Sequence, residues 1–240
     1  MAGHSKWANI KHRKAGQDAK RGKIFTKIIR ELTVAAKAGG GDVADNPSLR
    51  ATVDKALGAN MTRDTIDRAV ARGAGTAESD SLEQLSYEGY GPGNCMVIIE
   101  CLTDNPSRTF NDVRLCFSKT KTKIGTQGSV SHMFDHLTIL MFSGQDEEAV
   151  LDALLTDDVD VVDIENEEGM LTVFAPHTES FKAKKSLSDA FGEIEYEVDE
   201  IQFIAQNTAP LSGDDVEIFE TFTTMLNDLD DVQNIYHNVE

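Results

Sequence analysis

Apolar residues recur at helical spacing in residues 21–37. At about 100° per residue, Ile24, Phe25, Ile28, Ile29, Leu32, Ala35 and Ala36 fall within one arc of roughly 140°. Lys20, Lys23, Lys27, Arg30 and Lys37 occupy a separate arc of about 100° on the opposite side, so this helix is expected to pack with one face and present cations with the other. Gly39-Gly40-Gly41 stops it. A second helix is predicted behind Asn46, with Pro47 in its first turn, running to about Ala59. Thr62 caps a third, Arg63 to Arg72, ended by Gly73. Three short helices on short loops make a small bundle.

The pattern changes after Gly75-Thr76-Ala77. Tyr87 to Gly93 reads as a turn-rich entry to the uninterrupted apolar strand Cys95–Leu102. Asp104 or Asn105 then caps a helix that carries Pro106 in its first turn and continues to about Lys119, before a loop from Thr120 to Ser129. From Leu137 the elements alternate: strand Leu137–Phe142, helix Glu147–Leu155, strand Val159–Glu165, strand Leu171–Ala175, helix Glu179–Phe191, strand Ile194–Ile204. That order is β-α-β-β-α-β, the ferredoxin-like split arrangement. A last helix, Asp214–Leu226, and a strand, Val232–His237, are too little for a fold of their own and are expected to return to the region begun near residue 79. The predicted fold is α+β in three domains. These are a basic helical domain (1–78), a discontinuous α+β domain (79–134 with 207–240) and an inserted acidic ferredoxin-like domain (135–206).

Charge sharpens this picture. The formal net charge is −18, yet residues 1–37 hold ten Lys and Arg against Asp18 and Glu31, about +8, which leaves about −26 for the rest. A polyanion feels the local segment, because salt screens the distant acids over roughly 8–10 Å. A solvated basic surface or a targeting segment would show the same excess, but the arm has no apolar run of a secretory signal and only one serine, Ser5. No stretch near 18 apolar residues occurs, so no membrane partner is expected. The opposite extreme is residues 129–240, with 27 Asp and Glu against Lys182, Lys184 and Lys185. Such a surface is repelled by nucleic acid and fits a basic protein partner. Three cysteines with no metal or redox spacing read as buried thiols in a reducing, cytoplasm-like compartment.

The candidate nucleic-acid contacts are therefore Lys6, Trp7, Lys11, Arg13, Lys14, Lys20, Arg21, Lys23, Lys27 and Arg30. Trp7 either stacks on an unpaired base or packs on the bundle. Arg108 lies in Asp104-Asn105-Pro106-Ser107-Arg108, where a strand meets a helix N-terminus; this is either an anion site or an ordinary cap. Lys119, Lys121 and Lys123 make a second small patch, either a solvated loop or a further contact. Catalytic signals are weak. His132 and His136 have the i, i+4 spacing of a zinc pair, but Met133 replaces the expected Glu and no third ligand is evident. Gly89-Tyr90-Gly91-Pro92-Gly93 precedes its strand instead of following one, unlike a dinucleotide loop. No catalytic residue, metal or cofactor is expected.

Ala2-Gly3-His4-Ser5-Lys6-Trp7, Ile10-Lys11-His12-Arg13-Lys14, Asp18-Ala19-Lys20-Arg21-Gly22-Lys23 and Phe25-Thr26-Lys27 closely resemble the YebC/PmpR family. So do Tyr87-Glu88-Gly89-Tyr90-Gly91-Pro92-Gly93, Leu102-Thr103-Asp104-Asn105 with Arg108-Thr109, and Gly128-Ser129-Val130 before Met133-Phe134. Residues 2–134 carry the motifs; the acidic remainder matches in length and layout. The resemblance implies a three-domain cytoplasmic protein, a probable transcriptional regulator that binds DNA. Mitochondrial relatives are translational activators, and bacterial members are implicated as ribosome-associated factors that help difficult peptide bonds form. RNA or the ribosome is thus the alternative partner, which the same cations would serve. Two departures stand out: Lys121-Thr122 where the family usually has Gly-Gly, and Thr62 where it usually has Pro.

Overall fold

A computed structural model describes residues 21–75 and 82–240. These form two compact units. One is 133–206; the other joins 21–75, 82–132 and 207–240.

In the larger unit, α1 (Arg21–Gly39), α2 (Pro47–Gly58) and α3 (Arg63–Gly73) enclose a core of Ile28, Leu32, Ala35, Ala36, Leu49, Val53, Ala56, Met61, Ile66 and Ala69. Ile24, Phe25 and Ile29 pack against it, so the apolar stripe of α1 is the buried one. Asn46 ties two helix ends together. Its Nδ2 donates to the carbonyls of Ala35 and Gly40, both at 2.8 Å, while its Oδ1 accepts from Leu49 N–H at 3.0 Å. Orphan groups at the end of α1 and the start of α2 are satisfied by one buried side chain. α1 and α3 touch where only glycine fits: a Cβ on Gly73 would lie 2.2 Å from the Thr33 carbonyl oxygen. At Thr62 the hydroxyl caps α3 by accepting from Thr65 N–H at 3.4 Å, which gives this departure from the family pattern a local role.

The same unit holds a sheet in the order β3-β1-β2-β8, built from β1 (Glu83–Tyr90), β2 (Met96–Thr103), β3 (Lys123–Ile124) and β8 (Val232–His237). All its pairings are antiparallel. Two helices, α4 (Pro106–Lys119) and α7 (Asp214–Asn227), bury Val113, Phe117, Phe222 and Leu226 with Cys95, Val97, Ile99 and Cys101. The three thiols are buried and unbonded; burial pushes Cys95 up to about 11 and Cys101 up to about 12. β1 corrects the sequence reading, which took Tyr87 to Gly93 as a turn-rich entry and placed no strand before it. It pairs with β2 along its whole length, but Glu-Gln-Leu-Ser-Tyr-Glu-Gly-Tyr offers only Leu85 and Tyr87 to the core, too few for an apolar alternation to show.

In the smaller unit, β4 (Phe134–Ser143), β5 (Asp163–Glu167), β6 (Met170–Pro176) and β7 (Val198–Ala205) form an antiparallel sheet of order β5-β6-β4-β7. With α5 (Glu147–Thr156) and α6 (Ser180–Phe191), the chain order is the β-α-β-β-α-β expected. β5 starts four residues later than the apolar run at Val159 predicts. Val159 instead closes α5. Its N–H donates to the Leu154 carbonyl at 2.9 Å, after Asp158 at φ 60°, and its side chain is in the core. That is a Schellman end with its hydrophobic contact. Similarly, Ile194 and Tyr196 pack on the core ahead of β7 without joining it.

Candidate nucleic-acid interface

Lys6, Trp7, Lys11, Arg13, Lys14 and Lys20 lie outside the described residues. Arg21 and Lys23 belong to the first turn of α1. Lys37, in its last turn, is exposed, as are Arg63 and Arg72 of α3. The rest of the predicted basic stripe is engaged within the fold. Lys27 Nζ donates to the Gln233 carbonyl at 3.4 Å and is half-buried. Arg30 does not point outward as its helical phase predicts for a free stripe. Its Nη1 donates to the Leu102 carbonyl at 2.9 Å, to the Asp230 carbonyl at 2.8 Å and to Asp231 Oδ1 at 2.6 Å.

Asp231 is the centre of this cluster. The sequence reading passed over it, because Asp228-Leu229-Asp230-Asp231 looks like one more solvated acidic run. It ends the loop before β8, and its side chain is only 8% exposed. Arg108 Nη2 donates to Oδ2 at 2.8 Å and to Oδ1 at 3.0 Å; Thr109 Oγ1 and Thr103 Oγ1 donate to Oδ2 at 2.7 and 3.2 Å. Burial raises the affinity of this carboxyl for a proton. The hydrogen bonds from Arg108, Thr109 and Arg30 outweigh that effect and hold it below the usual carboxylate range. Asn105 caps α4, its Oδ1 accepting from Arg108 N–H at 3.1 Å, and Asp104 adds a second carboxylate to Arg108 at 2.8 Å. Of the donors expected to face an external anion at this helix start, the Arg108 guanidinium is thus taken up by Asp231 and Asp104, and the Arg108 N–H by the Asn105 cap. A cleft of about 360 Å³ opens over the cluster and is lined also by Asp112, Asp228 and Asp230, an acidic wall that disfavours phosphate.

Lys119, Lys121 and Lys123 are all exposed and lie together at the end of α4 and on β3. α4 ends in a second Schellman motif: Thr122 N–H donates to the Phe117 carbonyl at 2.9 Å and Lys121 N–H to the Ser118 carbonyl at 3.1 Å. Lys121 occupies its left-handed position, at φ 57°, where glycine would carry no steric cost. Next to it, Gly89 lets β3 and α4 close on β1, since a Cβ there would lie 2.7 Å from the Lys123 carbonyl and 2.9 Å from the Phe117 ring.

Beside these lysines, Glu88 is buried at 4% exposure. Its Oε1 accepts from Gly128 N–H at 2.8 Å; its Oε2 accepts from Val130 and Ser131 N–H at 2.8 and 2.9 Å. Burial would raise its pKa, but these three backbone donors hold it below the ordinary range. The Glu88 carbonyl accepts from Gly125 N–H at 2.7 Å, so one residue fixes both ends of loop 125–131. Its only sequence signal was its place inside the quoted Tyr87–Gly93 motif.

The two histidines of the weak zinc reading are otherwise employed. His132 Nδ1 sits 3.3 Å from the Gly128 carbonyl. His136 stacks against His177 at 3.9 Å and Phe203 at 4.1 Å between ring centroids. Among the described residues, no group of three His, Cys, Asp or Glu is placed to hold a metal ion, and no helix is long and apolar enough to cross a membrane.

Residues 5–76 match the family model described as the TACO1/YebC protein N-terminal domain, and residues 82–239 match that of the TACO1/YebC second and third domain. A probable transcriptional regulatory protein of Chromohalobacter salexigens is 59% identical over 223 residues, 93% of this chain and 92% of its own. One of Marinomonas sp. is 55% identical over 234 residues, 97% of each chain. The crystal structure of a conserved hypothetical protein from Aquifex aeolicus matches with a TM-score of 0.75 at 31% identity, over 93% of this chain and 91% of that one.

Proposed function

The chain belongs to the TACO1/YebC family, and from that membership we propose that it is a cytoplasmic, DNA-binding transcriptional regulator whose basic N-terminal domain grips the phosphate backbone. The relatives' name, probable transcriptional regulatory protein, supports the regulatory part. The observation that carries the DNA part is the charge segregation, about +8 in residues 1–37 against −26 in the remainder. In this reading the chain works as three domains, 1–78, 79–134 with 207–240, and 135–206. Lys6, Lys11, Arg13, Lys14, Lys20, Arg21 and Lys23 hold phosphates, with Trp7 beside them. Lys27, Arg30 and Arg108 are left out of the contact set because Lys27 donates to the Gln233 carbonyl and Asp231 engages both arginines. The acidic 129–240 segment is repelled by the polyanion and is free to meet a basic protein partner.

A second reading, an RNA- or ribosome-directed translation factor, is favoured by one feature. Cations that neutralise phosphates read no base sequence, so they serve RNA as well as DNA. Affinity for a duplex DNA and for an RNA of the same sequence, measured between about 50 and 300 mM salt, separates the two. Contact with ~4–6 phosphates gives a log–log slope of roughly −3.6 to −5.4 on duplex DNA. Replacing Lys11, Arg13, Lys14 and Lys23 together by Gln should flatten that slope by about 3.6 units. A slope near zero in the unmodified chain overturns phosphate binding. Stronger binding to RNA, with ribonuclease-sensitive sedimentation alongside ribosomes, transfers the proposal to the second reading.

A further inference from the structure

Most of the chain beyond the bundle is acidic, with one interruption. Residues 113–134 contain Arg114, Lys119, Lys121 and Lys123 and no Asp or Glu. Tyr90 stands in this interruption with 44% of its surface exposed. The pairing register sets Tyr90 opposite Lys123, so their side chains share one face of the sheet, about 5 Å apart at Cβ. The ring is held in place: its hydroxyl donates to the Ser129 carbonyl at 3.3 Å, on the loop that Glu88 pins through three N–H groups. Lys121 stands close to Lys123 in sequence, at a left-handed backbone position that favours glycine.

We propose that Tyr90 with Lys121 and Lys123 forms a second contact, for single-stranded nucleic acid, separate from the basic N-terminal arm. An exposed, immobilised aromatic flanked by cations offers an unpaired base a face to stack on and its phosphates a counter-charge. A duplex cannot use the ring, because its bases are already stacked on one another. The Glu88-pinned loop pre-orders the platform, so little is lost in arranging it on binding. This inference rests on the nucleic-acid reading above and adds the class of strand and the residues that meet it.

The test is fluorescence anisotropy on the full chain at about 100 mM salt. Its probes are a short oligothymidylate, an oligouridylate of equal length and an unrelated DNA duplex. Tyr90→Leu should weaken both single strands by ~10-fold and leave the duplex within about twofold. Tyr90→Phe, which keeps the ring and loses the bond to Ser129, should bind single strands more tightly than Tyr90→Leu and somewhat less tightly than the parent. Lys121→Gly with Lys123→Gln should reduce the single-strand salt slope by about 1.4. The two single-stranded probes separate DNA from RNA as the source of the strand. Unchanged single-strand affinity in Tyr90→Leu, with duplex binding intact, overturns this inference alone. Equal losses on duplex and single strand overturn it too. Failure of the unmodified chain to bind any of the three probes overturns both this and the parent reading.

Discussion

Arg30 Nη1 lies 2.6 Å from Asp231 Oδ1, an ion pair that joins the first described helix to the turn before the last strand, 201 residues away. The pair is strong by construction. Arg30 is 20% exposed and Asp231 8%, and three further side chains, Arg108, Thr109 and Thr103, converge on the same carboxylate. Two cations on α1, Lys27 and Arg30, are therefore engaged within the fold. A charge-removal experiment that includes them confuses loss of structure with loss of binding.

Asp231→Ala should destabilise the protein by about 2–3 kcal/mol, because it leaves Arg30 half-buried with only two carbonyl acceptors. Arg108, 45% exposed, can turn to water, which limits the loss. Asp231→Asn keeps the volume and should cost less. Urea titrations of Arg30→Gln, Asp231→Ala and the double variant should be non-additive, the double variant losing less than the sum. Strict additivity would show that the ion pair contributes nothing to stability.

The bundle and most elements were legible because caps and periodicity announce them. Asn46 and Thr62 sit where their side chains accept the first free N–H groups, as read from sequence, and of Asp104 and Asn105 it is Asn105 that does so. Charge pattern located the basic stripe of α1 but not its use. Whether a lysine or arginine is free depends on acids brought close by tertiary folding, and Asp231 is far away along the chain. Glu88 was illegible for the same reason. Its polar strand looked like loop, and the donors it satisfies belong to residues 128–131.

Acid should unfold the larger unit through these two carboxylates. Both Asp231 and Glu88 have folded-state pKa values below their ordinary ones. Such groups contribute stability that is complete above the unfolded values of about 4 and is lost as pH falls through the folded values. The stability curve should accordingly drop below about pH 4. Glu88→Gln places an amide NH₂ against backbone N–H groups and should cost about 1–3 kcal/mol at neutral pH while making the acid limb shallower. Circular dichroism melts from pH 7 to pH 3 read both effects; an acid limb as steep as the parent's would remove Glu88 from the account.

His136 gives the smaller unit a different window. Burial, and then the charge of His177 stacked on it, push its pKa down to about 4. A histidine with a depressed folded pKa stabilises fully above its unfolded value near 6.5, and stability declines as pH falls from there toward 4. His136→Phe preserves the stack with Phe203 and removes the titration. Between pH 7 and pH 5 the parent should lose more stability than the variant, and the His136 ring signals should titrate near 4 by NMR. Titration near 6.5 would contradict the stacked, half-buried environment.

Lys121→Gly should stabilise the chain. Lys121 occupies the left-handed position that ends α4, with φ 57°, and a side chain there costs about 1 kcal/mol relative to glycine. Glycine gains freedom in the unfolded chain, which cancels part of that gain, so the net should be about 0.5 kcal/mol. The two closing bonds, Thr122 N–H to the Phe117 carbonyl and Lys121 N–H to the Ser118 carbonyl, use backbone atoms alone and survive the change. Lys121→Ala, which removes charge and keeps the Cβ, separates the two contributions, since it should leave stability near the parent's. Chemical denaturation of the three chains decides the matter. If Gly and Ala shift the midpoint equally, the gain comes from removing a lysine charge near Lys119 and Lys123 and not from the backbone.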